Sequence, residues 1–124
     1  FAEQLRQLGV QVSVHAAYCR TQATWDDNLV GQLKAYESCA AMPVIVCTSE
    51  QGITALVRLV RQHGLYSWCR NGRFVVTHQR HLVALATQFM FNDAEKNIQI
   101  HLSGIQDDDI LETIRLICHT SSCF

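Results

Sequence analysis

The most informative part of this sequence is Pro43-Val44-Ile45-Val46-Cys47-Thr48-Ser49-Glu50. The proline introduces four consecutive apolar residues, which is the pattern of a parallel strand that is buried on both faces. Ser49 follows at the position of a helix N-cap. The helix after it has an apolar face made of Ile53, Leu56, Val57 and Val60, and ends at Gly64. The stretch therefore predicts a strand over 44–47 that leads into a helix over 50–63.

The same alternation continues towards the C-terminus. After the turn Asn71-Gly72, the apolar run Phe74-Val75-Val76 predicts a second strand. Thr77 is predicted to cap a helix over 78–89, with its inward residues at Leu82, Val83, Leu85, Ala86 and Phe89. Ile98 and Ile100 indicate a third strand that ends near Ser103-Gly104. The acidic residues 107–109 begin a last helix, which turns Ile110, Leu111, Ile114 and Ile117 inward.

The N-terminal third follows the same rule. Residues 2–8 show helical spacing, and Val10, Val12 and Val14 alternate with polar residues as in a strand. Asp26 and Asp27 begin a helix in which Leu29, Leu33 and Tyr36 recur at helical steps. Strands and helices thus alternate about every 25 residues, which is typical of an α/β fold. We expect a parallel sheet with flanking helices on both faces.

Composition excludes several classes of protein. The 124 residues carry ten basic and eleven acidic side chains, for a net charge of −1. This balance argues against binding to nucleic acid or to an anionic membrane by bulk attraction. No apolar run approaches the ~20 residues that span a bilayer. Neither a Gly-rich phosphate fingerprint nor the G-x-S-x-G motif occurs, so neither a nucleotide site nor that type of hydrolase is indicated.

The cysteines and histidines do not form a metal-binding pattern. None of the six cysteines stands in a C-x-x-C pair, which excludes zinc-ribbon and thioredoxin motifs. Cys47 lies within an apolar run and is predicted to be a small buried hydrophobe. His78 and His81 are three residues apart, but a third ligand is lacking. We expect reduced thiols, no metal and a cytoplasmic protein.

Polar residues follow each of the three predicted strands. They are Thr48-Ser49-Glu50, Thr77-His78-Gln79-Arg80 and Leu102-Ser103-Gly104. In an open parallel sheet, ligands bind beyond the carboxyl ends of the strands, and a helix start there attracts anions. Two such starts side by side would suit a ligand with several carboxylates or phosphates. On the pattern alone, the favoured interpretation is that Ser49 and Thr77 serve only as helix caps.

Tyr18 is the remaining candidate. It ends the alternating strand and precedes Cys19, Arg20 and a linker-like stretch over 20–24. At a junction between domains its phenol can donate a proton or a hydrogen bond. The alternative is a packed aromatic ring at the end of a strand.

Taken in order, three motifs resemble a known family. They are L-x-x-L-G-V-x-V-x-x-x-x-x-Y-x-R from Leu5, V-I-V-C-T-S-E from Val44, and W-x-x-N-G-R-F-V-V-T-H-Q-R-H-L-V-A-L-A from Trp68. A short strand, an acidic turn and a helix follow. This order resembles the C-terminal half of the uroporphyrinogen-III synthase family, from about Leu5 to Ile117.

The resemblance implies a lyase without metal or organic cofactor. The family enzyme closes the linear tetrapyrrole hydroxymethylbilane to uroporphyrinogen III and inverts the last ring, in tetrapyrrole (heme) biosynthesis. Its substrate carries eight carboxylates and lies between two flavodoxin-like α/β domains. The tyrosine that assists loss of the substrate hydroxyl falls on Tyr18. Residues that hold the carboxylates at strand ends fall on Thr48, Ser49, Thr77 and Arg80, and we add Ser103 at the end of the third strand.

The resemblance also implies a domain organisation. Residues 1–20 would be the last helix and strand of one domain with a linker strand, and residues 21–124 the C-terminal part of the other. The family's N-terminal half is not represented, and the chain lacks an initiator Met. We therefore expect half of a substrate cleft, inactive alone, that pairs with the missing N-terminal half or with another copy. The alternative function is a non-enzymatic flavodoxin-like module that binds a ligand or a protein.

Overall fold

The computed structural model describes residues 24–120, and their side chains as far as residue 118. The described chain contains a three-stranded parallel sheet in the order β1-β2-β3, with β1 at Val44–Cys47, β2 at Arg73–Val76 and β3 at Ile100–Leu102. The predicted parallel α/β arrangement is confirmed. The predicted elements over 2–8 and 10–14, Tyr18 and the domain boundary at residue 20 lie outside the described residues.

Six helices accompany the sheet in this part of the chain. They are α1 (Asp27–Ser38), α2 (Glu50–Gln62), α3 (Tyr66–Arg70), α4 (Gln79–Gln88), α5 (Asp93–Gln99) and α6 (Asp107–Thr120). None of them is long and apolar enough to cross a membrane.

Helices cover both faces of the sheet, because successive strand residues point to opposite sides. Phe74 and Val76 of β2 are fully buried in a cluster with Ile53 and Val60 of α2 and Leu85 of α4. Val75, between them, belongs to a second cluster, which it forms with Ile110, Ile114 and Ile117 of α6. The predicted inward face of the last helix and the two-sided covering of the sheet are both confirmed.

Two predicted helix starts are confirmed at the level of single hydrogen bonds. The Asp26 carboxylate accepts from the Leu29 N–H at 2.8 Å and caps α1. The Ser49 hydroxyl accepts from the Gly52 N–H at 3.0 Å and caps α2. Each side chain satisfies an N–H group that the first helical turn leaves without an internal partner.

Cys47 is buried as predicted. Its side chain lies in the core beside Cys69, and burial together with this second thiol raises the pKa of Cys47 to about 12. Both are free thiols, as are Cys39 and Cys118. A thiol with so high a pKa is protonated at neutral pH and packs as an apolar group.

The predicted helix over 78–89 is wrong in its cap and at Val83, whereas Leu82, Leu85, Ala86 and Phe89 face inward as predicted. The helix begins at Gln79, and its N-cap is His78 instead of Thr77. His81 is buried while Val83 is 55% exposed. The reason is geometric: the face that meets the sheet carries His81 and Leu85, four residues apart, and Val83 lies about 200° around the helix from either.

The predicted strand from Ile98 is also wrong at its start. Ile98 belongs to α5 and is 60% exposed, and β3 begins only at Ile100. A capping box begins α5, because the side chain of Asn92 accepts from the Glu95 N–H and that of Glu95 accepts from the Asn92 N–H. This reciprocal pair stabilises a helix where the isoleucine alone favours a strand.

Candidate functional site

Three hydroxyl residues predicted as ligand contacts meet at the carboxyl edge of the sheet. The register pairs Cys47 with Val76, and Val76 with Leu102. The residues that follow these three positions are Thr48, Thr77 and Ser103, so they stand side by side beyond the strand ends. The Ser103 N–H donates to the Val76 carbonyl at 2.8 Å, which carries the β2–β3 pairing one residue past the strand.

The hydroxyls at this edge differ in what they already bind. Ser49 is half-buried and its oxygen caps α2, so the predicted capping role of this residue is confirmed. Ser103 is half-buried, and its hydroxyl donates to the Gly104 carbonyl at 2.8 Å. Thr48 is exposed and Thr77 is half-buried, and neither caps a helix. The two threonines are therefore the better placed of the four to contact a ligand.

Two helices begin at the same edge. The first residue of α2 is Glu50, three positions after β1, and that of α4 is Gln79, three positions after β2. The start of a helix carries about half a positive charge and N–H groups that point outward. Arg80, in the first turn of α4, is exposed and adds a full cation, whereas Glu50 adds an anion at the start of α2. The anion-attracting end of this pair is therefore α4.

Two histidines complete the first turn of α4. The Nδ1 atom of His78 accepts from the Arg80 N–H at 3.0 Å and so acts as the cap. His81 is only 8% exposed, and its Nδ1 atom is buried without a hydrogen-bond partner. The two ring centroids are 5.8 Å apart. In the part of the chain that the structure describes, no group of three His, Cys, Asp or Glu side chains is arranged to hold a metal ion.

Negative charge lies at the third strand end. After β3 the chain enters α6, whose first turn carries Asp107, Asp108 and Asp109, all exposed. These carboxylates offset the positive start of α6 and make it unsuitable for an anion. The electrostatics of the edge therefore favour an anionic ligand over β1 and β2, on the side away from the acidic turn.

Reasoning from sequence missed the most unusual of these residues. His81 stands out from the sequence only as a partner of His78 at metal-compatible spacing. The signal for its burial is its position four residues before Leu85, on one stripe of α4. Tyr18, the predicted catalytic residue, lies outside the described residues, so its place relative to this edge stays a prediction.

Comparison with known proteins adds no relative. No protein-family model matches the chain, and neither a curated protein nor a solved structure matches it.

Proposed function

We propose that this chain is the C-terminal half of a uroporphyrinogen-III synthase with a flavodoxin-like α/β domain. In this proposal it is a cytoplasmic lyase that closes hydroxymethylbilane to uroporphyrinogen III with inversion of the last ring. The proposal is supported by the order of motifs from Leu5 to Ile117. The parallel sheet with helices on both faces is compatible with it.

One observation carries the proposal: Thr48 and Thr77 stand together at the carboxyl edge, next to the start of α4. A substrate with eight carboxylates needs many hydrogen-bond donors spread over a concave surface. Hydroxyls, helix-start N–H groups and the Arg80 guanidinium are such donors, and charge-assisted bonds to a carboxylate are about twice as strong as neutral ones. Ser49 and Ser103 complete the set of proposed contacts, and the Ser103 hydroxyl must turn from the Gly104 carbonyl to donate to the ligand.

The reaction needs positioning more than strong acids or bases. In the proposed mechanism the Tyr18 phenol assists departure of the substrate hydroxyl, which leaves as water and forms an azafulvene cation. The substituted pyrrole carbon of the last ring attacks this cation to form a spiro intermediate. The intermediate fragments, recloses at the other α-carbon and loses a proton. The carboxyl edge holds the substrate in the geometry that this sequence of steps requires.

The proposal includes a partner. The described residues supply one sheet edge, and a cleft needs a second wall. In the proposed enzyme that wall comes from the N-terminal half of the synthase, or from another copy of the chain. Alone, the chain is expected to bind tetrapyrrole carboxylates weakly and to lack activity.

The test supplies hydroxymethylbilane to this chain alone and to the polypeptide encoded by its complete reading frame, and separates the isomers by chromatography. Uncatalysed closure gives the type I isomer without inversion. We expect type III from the complete polypeptide and type I alone from the isolated chain. Tyr18→Phe in the complete polypeptide should lower turnover by at least about tenfold with nearly unchanged product binding.

Threonine variants test the carboxyl edge with a matched control. Thr48→Val and Thr77→Val in the complete polypeptide should raise KM by several-fold. Thr87→Val should leave it unchanged, because Thr87 lies in the last turns of α4, away from the edge, and its hydroxyl donates to the Val83 carbonyl of the same helix. If the complete polypeptide yields only the type I isomer, the proposed synthase activity is refuted. Tetrapyrrole binding in that case would favour the non-enzymatic binding module.

A further inference from the structure

His81 is a buried polar residue whose ring nitrogen Nδ1 makes no hydrogen bond within the described structure. The side chain is 8% exposed, and Nδ1 finds no hydrogen-bond partner among the described residues. A buried nitrogen without a partner destabilises the folded state, and leucine at this position would fill similar space without that cost. Four other described side chains also carry such an atom, but His81 alone among the five lies in the first turn of a helix at the carboxyl edge, where a bound ligand would supply the partner.

The ring lies at the open end of α4. His81 is the third residue of the helix, and side chains in a helix slope towards its N-terminus. Its ring centroid is 5.8 Å from that of His78, the cap residue. The N–H groups of Arg80 and His81 are already bonded, to Nδ1 and to the carbonyl of His78. In the described structure the Gln79 N–H is left as the unpaired donor of this turn.

We propose that His81 is a binding residue for one carboxylate of the ligand. Its Nδ1–H donates to one carboxylate oxygen, and the Gln79 N–H and the Arg80 guanidinium are the neighbouring donors. The inference rests on the proposed function, since the ligand is the tetrapyrrole with eight carboxylates. It assigns the start of α4, instead of the start of α2 with its Glu50, as the place where the ligand's charge is bound most directly.

A metal site is the other chemistry that two histidines suggest. The Nδ1 of His78 is occupied by the Arg80 N–H, and no third metal-ligating side chain joins the pair in the described part of the chain. A bound carboxylate needs neither a free Nδ1 on His78 nor a third metal-ligating side chain. It accepts hydrogen bonds from donors, and donors are what this helix start presents.

The test titrates the complete polypeptide, as the wild type and as each variant, with uroporphyrin III, a stable fluorescent tetrapyrrole with eight carboxylates. His81→Leu should weaken binding by about tenfold, the loss of one charge-assisted hydrogen bond, with a thermal unfolding midpoint equal to or above that of the wild type. His81→Asn should restore most of the affinity, because its amide nitrogen takes the place of Nδ1. His63→Leu should bind normally, since His63 also has an unpartnered ring nitrogen but caps the far end of α2.

A second measurement does not depend on variants. In a chain labelled with ¹⁵N at histidine, uroporphyrin III should shift the Nδ1 resonance of His81 more than that of His63. The proposal is overturned if the wild-type complete polypeptide does not bind the porphyrin, if His81→Leu binds as tightly as the wild type, or if the His81 resonance does not move. Displacement of the porphyrin by equimolar inorganic phosphate would also overturn it, because the site would then prefer phosphate.

The two proposals fail separately. If porphyrin binding depends on His81 but the complete polypeptide yields only the type I isomer, the carboxylate site is supported and the proposed synthase activity is refuted. If the complete polypeptide yields the type III isomer and the His81→Leu variant has an unchanged KM, the proposed synthase activity is supported and the carboxylate site at His81 is refuted.

Discussion

The imidazole of His78 accepts a hydrogen bond at Nδ1 from the backbone N–H of Arg80, at 3.0 Å. The cap of α4 is therefore a histidine, and the hydroxyl of Thr77 stays outside the helix start. Thr77 therefore lies at the carboxyl edge beside Thr48, and its hydroxyl does not cap the helix. In the proposed function these two hydroxyls contact the ligand together with that of Ser49, whose oxygen also caps α2.

Replacing the α4 cap should cost stability. We expect His78→Ala to lower the free energy of unfolding by about 1 kcal/mol, because an N–H of the first turn loses its partner. Thr77→Val should change it by less than about 0.5 kcal/mol. Urea unfolding of the three chains measures both values. Equal losses for the two variants would contradict the assignment of the cap.

Two glycines should respond in opposite directions to alanine. A Cβ on Gly72 would lie 2.5 Å from the carbonyl oxygen of Pro43, and that oxygen also accepts from the Arg73 N–H at 2.9 Å. The backbone cannot retreat without losing this bond at the start of the sheet, so Gly72→Ala should cost about 2 to 3 kcal/mol.

Gly31 is the matched control for this substitution. It lies in α1 with nothing within 4 Å of an added Cβ. Gly31→Ala should therefore raise the free energy of unfolding by about 0.5 to 1 kcal/mol, through helix propensity. Thermal and urea unfolding test the pair, and a stable Gly72→Ala chain would show that the contact with Pro43 relaxes easily.

Arg70 should not tolerate lysine. Its guanidinium donates to both oxygens of Glu95, at 2.9 and 3.2 Å, and to the carbonyls of Phe89 and Met90, each at 2.9 Å. A lysine ammonium cannot reach these four acceptors from one position. Arg70→Lys should lower the free energy of unfolding by about 1 to 2 kcal/mol. Arg115→Lys, on the exposed side of α6, should stay within about 0.5 kcal/mol, and a similar loss there would contradict the prediction.

His101 should make stability depend on pH. Burial in the sheet, and to a lesser extent the nearby charge of Arg73, lower the pKa of His101 below its ordinary value of 6.5. The unfolded chain therefore binds this proton at a higher pH than the folded chain does, and protonation favours unfolding. The contribution is complete above the unfolded pKa and is lost as the pH falls through 6.5 towards the folded pKa.

His101→Gln isolates this effect from the other histidines. Urea unfolding between about pH 7.5 and 5 should show a smaller loss of stability in the variant than in the wild type. Parallel curves for the two chains would mean that His101 titrates alike in the folded and unfolded states.

Local signals predicted most of the elements and failed where two of them competed. The apolar runs at 44–47 and 74–76 form strands, and Asp26 and Ser49 cap helices as expected. At residues 92–99 the β-branched residue Ile98 favoured a strand, while the capping box of Asn92 and Glu95 favoured a helix, and the helix formed. That box was readable in the sequence, because its two members are three residues apart.

The sequence by itself determines only features that depend on residues close together along the chain. Caps, turns and apolar stripes depend on groups within about four positions of each other, so Asp26, Ser49 and the parallel α/β class follow from the pattern. Thr48, Thr77 and Ser103 are more than twenty residues apart, and only strand register brings them to one edge. The same holds for His81: its helical position was readable, but its burial depends on which stripe of α4 meets the sheet, and that choice is made by packing between elements.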